Sequence, residues 1–154
     1  MTDARKGNLG QNILLATAIA GTLDIGMAAI ETMRAGKPVE GMLRGVASGP
    51  FPPAIDWGLG GALAGLIVHY AIMAVMAAVF LIARERFAVI RRHTIPAALV
   101  YGVILWLVMY GLVLPLRFGV SFPSPKPTAI AKQLFAHVVL VGLTFGLVAR
   151  RGTA

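Results

Sequence analysis

The chain alternates long apolar segments with short polar ones. Four segments are almost free of charge, at about residues 11–33, 59–83, 95–116 and 129–149. A helix needs ~20 apolar residues to cross ~30 Å of hydrocarbon, because each residue adds a rise of ~1.5 Å. The pattern therefore predicts an all-α fold: a four-helix bundle integral to a membrane, forming a single transmembrane domain over residues 1–154.

The two connectors on one side of the predicted bundle have patterns of their own. In the first, apolar residues recur at the i, i+3, i+4 and i+7 positions of a helix and polar residues face the other way: Val39, Met42, Leu43 and Val46 against Glu40 and Arg44. This periodicity, at about residues 38–48, predicts a short amphipathic helix lying at the membrane interface between the first two spans. The second connector places proline at every second position from 123 to 127, which favours extended chain.

The composition is typical of a membrane protein and excludes several kinds of chemical site. Of the 154 residues, 58% are hydrophobic and 13% are charged, and the mean hydropathy is +0.81. This apolar fraction exceeds that of ordinary soluble domains. Cysteine is absent, which excludes disulfides, thiolate metal ligands and cysteine nucleophiles.

The net charge of +8 indicates a lipid partner rather than nucleic acid. The basic residues stand at the ends of apolar segments, without the interleaved aromatics of a nucleic-acid surface, and anionic headgroups attract such positions. Eight of the fourteen basic residues belong to the two ends of the chain and the loop between the second and third spans: Arg5, Lys6, Arg84, Arg86, Arg91, Arg92, Arg150 and Arg151. The positive-inside rule then predicts both termini in the cytoplasm.

Four polar residues within the apolar segments are the candidates for a site. Ionisable groups are costly in hydrocarbon, so their presence there points to a role. Counting along each helix from the predicted span ends places Asp24 ~14 Å, His69 ~15 Å and His137 ~12 Å below the same surface. Tyr110 falls ~9 Å below it. We expect one polar intramembrane cluster to which all four spans contribute.

Several interpretations of this cluster stay open. It is a structural knot if Asp24 accepts hydrogen bonds from a histidine or from Tyr110, and a relay if protons or small solutes pass through the bundle. His69 and His137 are also suited to hold haem b as two axial ligands. A zinc site from both histidines and Asp24 needs a fourth ligand or water. The sequence assigns no metal or cofactor, and haem b is the candidate.

Two glycine pairs predict close helix packing. Gly61 with Gly65, and Gly142 with Gly146, have the small-xxx-small spacing that lets helices approach. The second pair lies about a third of a turn away from His137, where it faces another helix or another copy of the chain. The seven methionines are scattered through the chain and are interpreted as packing, with no paired spacing that indicates copper handling.

The chain carries none of the common catalytic signatures. It has no phosphate-binding loop, no G-x-G-x-x-G, no G-x-S-x-G and no H-E-x-x-H. The leading prediction is a non-enzymatic accessory or self-associating subunit, whose partners are the bilayer and another membrane protein or its own copies. The alternative is a cofactor-binding bundle, or one that conducts protons or small solutes, centred on Asp24, His69 and His137.

Short motifs carry a resemblance over most of the chain, from about residue 21 to residue 151. They are Gly21-Thr22-Leu23-Asp24, the run from Leu43 to Gly49, His69-Tyr70, Met109 with Leu114-Pro115-Leu116, and His137. In this order the chain resembles small bacterial four-span membrane proteins of unknown function, similar to the YagU inner-membrane proteins. The resemblance implies four spans and a bacterial cytoplasmic membrane, but no reaction or cofactor. The chain lacks the extended connectors of the YagU type.

Overall fold

The computed structural model describes residues 3–151, and the side chains of residues 9–151. The side chains of Arg5 and Lys6, which contribute to the predicted orientation, lie outside this part. Within it every regular element is helical, in the order α1 (Asp3–Arg34), α2 (Val39–Ala47), α3 (Gly58–Arg86), α4 (Ala88–Arg92), α5 (Thr94–Phe118) and α6 (Pro127–Arg151), with a 3-10 turn at Pro52–Asp56 before α3.

Four of these helices are long and apolar enough to cross a membrane: α3, α5, α6 and the Leu9–Arg34 part of α1. The prediction of an all-helical chain with four long apolar helices is therefore confirmed. The helices run a few residues past the apolar segments, as where α3 includes Arg84, Glu85 and Arg86. Backbone hydrogen bonding does not stop where the apolar residues stop, and lysine and arginine are favourable in a last helical turn.

The helices run up and down, which gives the molecule two distinct ends. We call the end with residues 35–57 and 119–126 the connector end. The end with the start of α1, the close of α6 and the short helix α4 is the terminal end. At the terminal end the core is aromatic: the ring centroids of Phe80 and Tyr101 are 5.4 Å apart, and those of Phe80 and Phe145 are 6.5 Å apart. Phe145 has no exposed surface.

Two of the long helices contain wider, π-helical turns. They occupy Leu107–Val113 in α5 and Phe135–Leu143 in α6. In α5 the Leu114 N–H donates to the Met109 carbonyl, five residues back, and Pro115, which follows it, has no N–H to donate. Such turns re-aim side chains and are frequent at functional sites. The two turns carry Tyr110 and His137.

The short helix α2, which matches the amphipathic helix predicted at about residues 38–48, packs on α3. A Cβ atom at Gly65 would meet the Leu43 carbonyl oxygen, and one at Gly61 would meet the Ala54 carbonyl oxygen. The sequence places the apolar face of this helix on the membrane surface. In the structure Met42 and Val46 of that face line a cavity, because glycine in α3 lets the two backbones touch.

The other glycine pair lies between α5 and α6. A Cβ at Gly142 would stand 2.6 Å from the Ala98 carbonyl oxygen, and one at Gly146 would stand 2.8 Å from the Ala98 Cβ. Gly102 on the facing helix is equally close to α6, because its Cβ would stand 2.5 Å from the His137 carbonyl oxygen. This packing fixes α6, and with it His137, against α5.

Candidate functional site

A cavity of about 810 Å³ occupies the connector half of the molecule. All four long helices and α2 contribute to its wall, which is mostly apolar. The aromatic core of Phe80, Tyr101 and Phe145 fills the terminal half. The cavity therefore extends from the connector end to the middle of the helices and ends there.

The structure brings the four polar candidates together in the wall of this cavity: Asp24, His69, Tyr110 and His137. Three of them lie ten or eleven residues from the connector-end limits of their helices, which corresponds to ~15 Å. Asp24, His69 and His137 form the floor of the cavity. The four glycines predicted to pack helices lie elsewhere, at the α2–α3 and α5–α6 contacts.

His69 is held by the backbone of α1. Its Nε2 lies 2.9 Å from the Gly21 carbonyl oxygen, and only 7% of the residue is exposed. A carbonyl only accepts, so Nε2 carries the proton and donates it. Tyr70 flanks this contact, because a Cβ at Gly21 would stand 2.7 Å from its ring, and its hydroxyl lies 2.7 Å from the Thr22 hydroxyl. Glycine at position 21 thus permits this approach of α3 to α1.

His137 is held within its own helix. Its Nδ1 donates to the Gln133 carbonyl oxygen at 3.2 Å, four residues back. The Tyr110 ring meets it edge-on, with 5.5 Å between the ring centroids. The Gln133 side chain accepts a hydrogen bond of 3.3 Å from Trp106 Nε1. These contacts fix His137 and Tyr110 on opposite sides of the α5–α6 contact.

Asp24 makes no hydrogen bond and no ion pair with any side chain or backbone group between residues 9 and 151, although it lies close enough to both histidines to interact electrostatically with them. The structural knot considered from the sequence is therefore not formed in this part of the chain. Each histidine gives its N–H to a backbone carbonyl instead.

Methionine supplies much of the apolar wall. Five of the seven methionines line the cavity: Met27, Met42, Met73, Met76 and Met109. They come from four helices, so no spacing along the chain groups them, and their interpretation as scattered packing residues did not include this convergence. One local signal was available, because His69, Met73 and Met76 follow i, i+4, i+7 spacing on one face of α3.

The charged residues near the connector end of the cavity are already engaged. The Glu31 carboxylate pairs with Lys132 of α6 and, at 3.1 Å, with Arg34. Arg117 Nε donates to the Gly49 carbonyl oxygen and its Nη2 to the Ser48 carbonyl oxygen, each at 2.8 Å. Both sets of contacts join separate elements across this end of the molecule.

The site suits a metal or haem poorly. Among the described residues no group of three or more histidine, aspartate or glutamate side chains is placed to hold a metal ion. His137 has the usual geometry of a ligand, with Nδ1 bonded to a carbonyl and Nε2 available. His69 has the reverse arrangement, since its Nε2 is bonded to Gly21. Haem ligation through Nε2 of both residues would require that hydrogen bond to break.

The fold and the site together define a class: a helical protein with four membrane-span-capable helices around a cavity with a polar floor. Comparisons with protein-family models, curated proteins and solved structures find no match to this chain. The resemblance to the YagU proteins therefore stays a prediction, and a functional proposal rests on the geometry.

Proposed function

We propose that the protein is integral to the bacterial cytoplasmic membrane and binds a small, mostly apolar molecule between its helices. The membrane location is supported by large apolar side chains on the outer faces of the long helices, such as Leu14, Ile67 and Leu116, which are 71%, 70% and 79% exposed. Apolar surface of this extent needs a lipid environment.

One observation carries the binding proposal: the cavity of about 810 Å³ with apolar walls and a few polar groups at its floor. Ligand sites are typically ~300–1,000 Å³ and have this composition. Mobile methionine side chains adapt to differently shaped apolar ligands. The polar floor would then orient whichever end of the ligand bears a polar group.

The same geometry gives less support to the conduction of protons or small solutes through the bundle than to ligand binding. Between the floor of the cavity and the terminal end lie Phe80, Tyr101 and Phe145, packed ring against ring. Packed rings leave no room for the chain of waters that proton transfer needs. We therefore favour binding over conduction.

The accessory or self-associating subunit also has less support than it had from the sequence. Its motivation was the glycine-lined faces, and Gly61, Gly65, Gly142 and Gly146 all meet other elements of the same chain. These glycines offer no free face to a second copy. A non-enzymatic binding role is compatible with the lack of a catalytic motif.

Filling the cavity tests the proposal. We would reconstitute the protein in lipid nanodiscs and titrate it with pyrenebutanol, a neutral fluorescent probe, against empty nanodiscs. Saturable binding of one probe per chain is expected. Ala28→Phe, which projects a ring from α1 into the cavity, should abolish it, whereas Ala18→Phe, on the exposed face of the same helix, should not. Equal binding by both variants, or no saturable binding by the unmodified protein, contradicts the proposal.

A further inference from the structure

We infer that the ligand of this cavity carries a protonated amino group, which pairs with the Asp24 carboxylate while its apolar body occupies the methionine-lined wall. This inference rests on the proposed function and specifies the class of molecule bound. It follows from the hydrogen-bonding groups that the floor of the cavity leaves unused.

The floor of the cavity offers several hydrogen-bond acceptors. The N–H groups of His69 and His137 are both given to backbone carbonyls. The other ring nitrogen of each histidine, Nδ1 of His69 and Nε2 of His137, has no hydrogen-bond partner in the described part of the chain. Such a nitrogen in a neutral imidazole is an acceptor. With the two oxygens of Asp24, the floor presents acceptors that a ligand with N–H donors would satisfy.

The Asp24 carboxyl group also lacks an ion-pair partner among the side chains of residues 9–151. The cationic side chains around the cavity are Lys132 and Arg117. Lys132 is paired with Glu31, and Arg117 donates to the carbonyls of Ser48 and Gly49. An unpaired carboxylate among apolar walls is costly, and a positive charge beside it removes much of that cost. A cationic ligand supplies the missing partner.

The size and composition of the cavity favour an organic cation over a metal cation. Thioether sulfur favours soft ions such as monovalent copper or silver, and five methionines line the cavity. However, about 810 Å³ is far more space than one ion needs, since a water molecule takes ~30 Å³ of the liquid. A molecule with an extended apolar body makes use of both the volume and the sulfur-rich wall.

A matched pair of probes tests the inference. Pyrenebutylamine and pyrenebutanol share ring and chain but differ in the positive charge. In nanodiscs at neutral pH we expect the amine to bind at least about tenfold more tightly than the alcohol, a factor that corresponds to ~1.4 kcal/mol. Asp24→Asn should remove this preference and leave the affinity for pyrenebutanol within about twofold. Asp24→Glu, which keeps the charge, should retain part of it.

The control is the other carboxylate of the cavity. Glu31→Gln removes a charge that Lys132 and Arg34 already neutralise, so the preference for the amine should change by less than about threefold. Equal affinities for the two probes, or an Asp24→Asn variant that still prefers the amine, overturn the inference while the proposed function stands.

Two further outcomes are decisive. Absence of saturable binding by both probes contradicts the proposed function itself and the inference with it. Titration with silver ions tests the alternative that the cavity binds a soft metal ion. Binding of one silver ion per chain that is lost in Met73→Leu, together with no preference for the amine, would assign the cavity to a soft metal and overturn the inference.

Discussion

Gly65 of α3 lies directly against the carbonyl oxygen of Leu43 in α2, with no space for a side chain between the two backbones. This contact makes α2 part of the wall of the cavity. Met42 and Val46, on either side of Leu43, both line the cavity as a result. The shape of the proposed site therefore depends on a glycine that lies outside it.

Gly65→Ala should destabilise the protein by ~1–3 kcal/mol, because the added methyl group meets backbone that cannot rotate away. The measurement is the midpoint of unfolding in mild detergent. Gly60→Ala is the matched control on the same helix, since nothing lies within 4 Å of a Cβ at that position. It should leave the midpoint unchanged or raise it slightly, because alanine favours a helix. Equal losses in both variants would show that α2 does not press on α3.

Arg117→Gln should loosen the connector end. The variant loses the two hydrogen bonds to the carbonyls of Ser48 and Gly49 that tie α5 to the end of α2. We expect backbone amides of residues 48–57 to exchange with solvent about fivefold faster, which corresponds to ~1 kcal/mol of local stability. Arg86→Gln, exposed at the terminal end, is the control. Unchanged exchange in the Arg117 variant would contradict the role of this contact.

Proton flux separates binding from conduction. Liposomes that contain the protein should take up protons no faster than protein-free liposomes, because packed aromatic rings occupy the core between Asp24 and the terminal end. Asp24→Asn should leave the rate unchanged. A protein-dependent flux that falls in this variant would instead establish a relay through the bundle.

The visible spectrum tests haem binding. We expect the purified protein to be colourless, since His69 already donates its Nε2 proton to the Gly21 carbonyl. A Soret band that disappears in both His69→Ala and His137→Ala would show the opposite, and would mean that the α1–α3 contact opens to admit the porphyrin.

Single cysteines test the orientation that the positive-inside rule predicts, since the chain has no cysteine of its own. Ser121→Cys at the connector end should react with an impermeant maleimide added to intact cells, because the positive-inside rule places this end outside the cytoplasm. Val89→Cys in α4, which is also exposed, should react only after the cells are opened. The reverse pattern would place both termini outside.

The sequence by itself determines the four long helices and the common level of Asp24, His69 and His137. Both follow from local geometry: an apolar segment of sufficient length forms a helix in lipid, and a fixed rise per residue converts sequence distance into depth. The same counting places Tyr110 near this level, and the structure has it in the cavity wall.

Only the tertiary structure decides how each helix is rotated about its axis. Helices such as α3 and α5 are apolar on nearly every face, so their patterns do not specify which side meets a neighbour. That rotation brings five methionines from four helices to one cavity and directs His69 of α3 to the Gly21 carbonyl of α1. It also leaves Asp24 without a hydrogen-bond partner in the described part of the chain. The same rotation places Gly65 against Leu43. This is a contact between two backbones, and the periodicity of side chains along the sequence does not predict it.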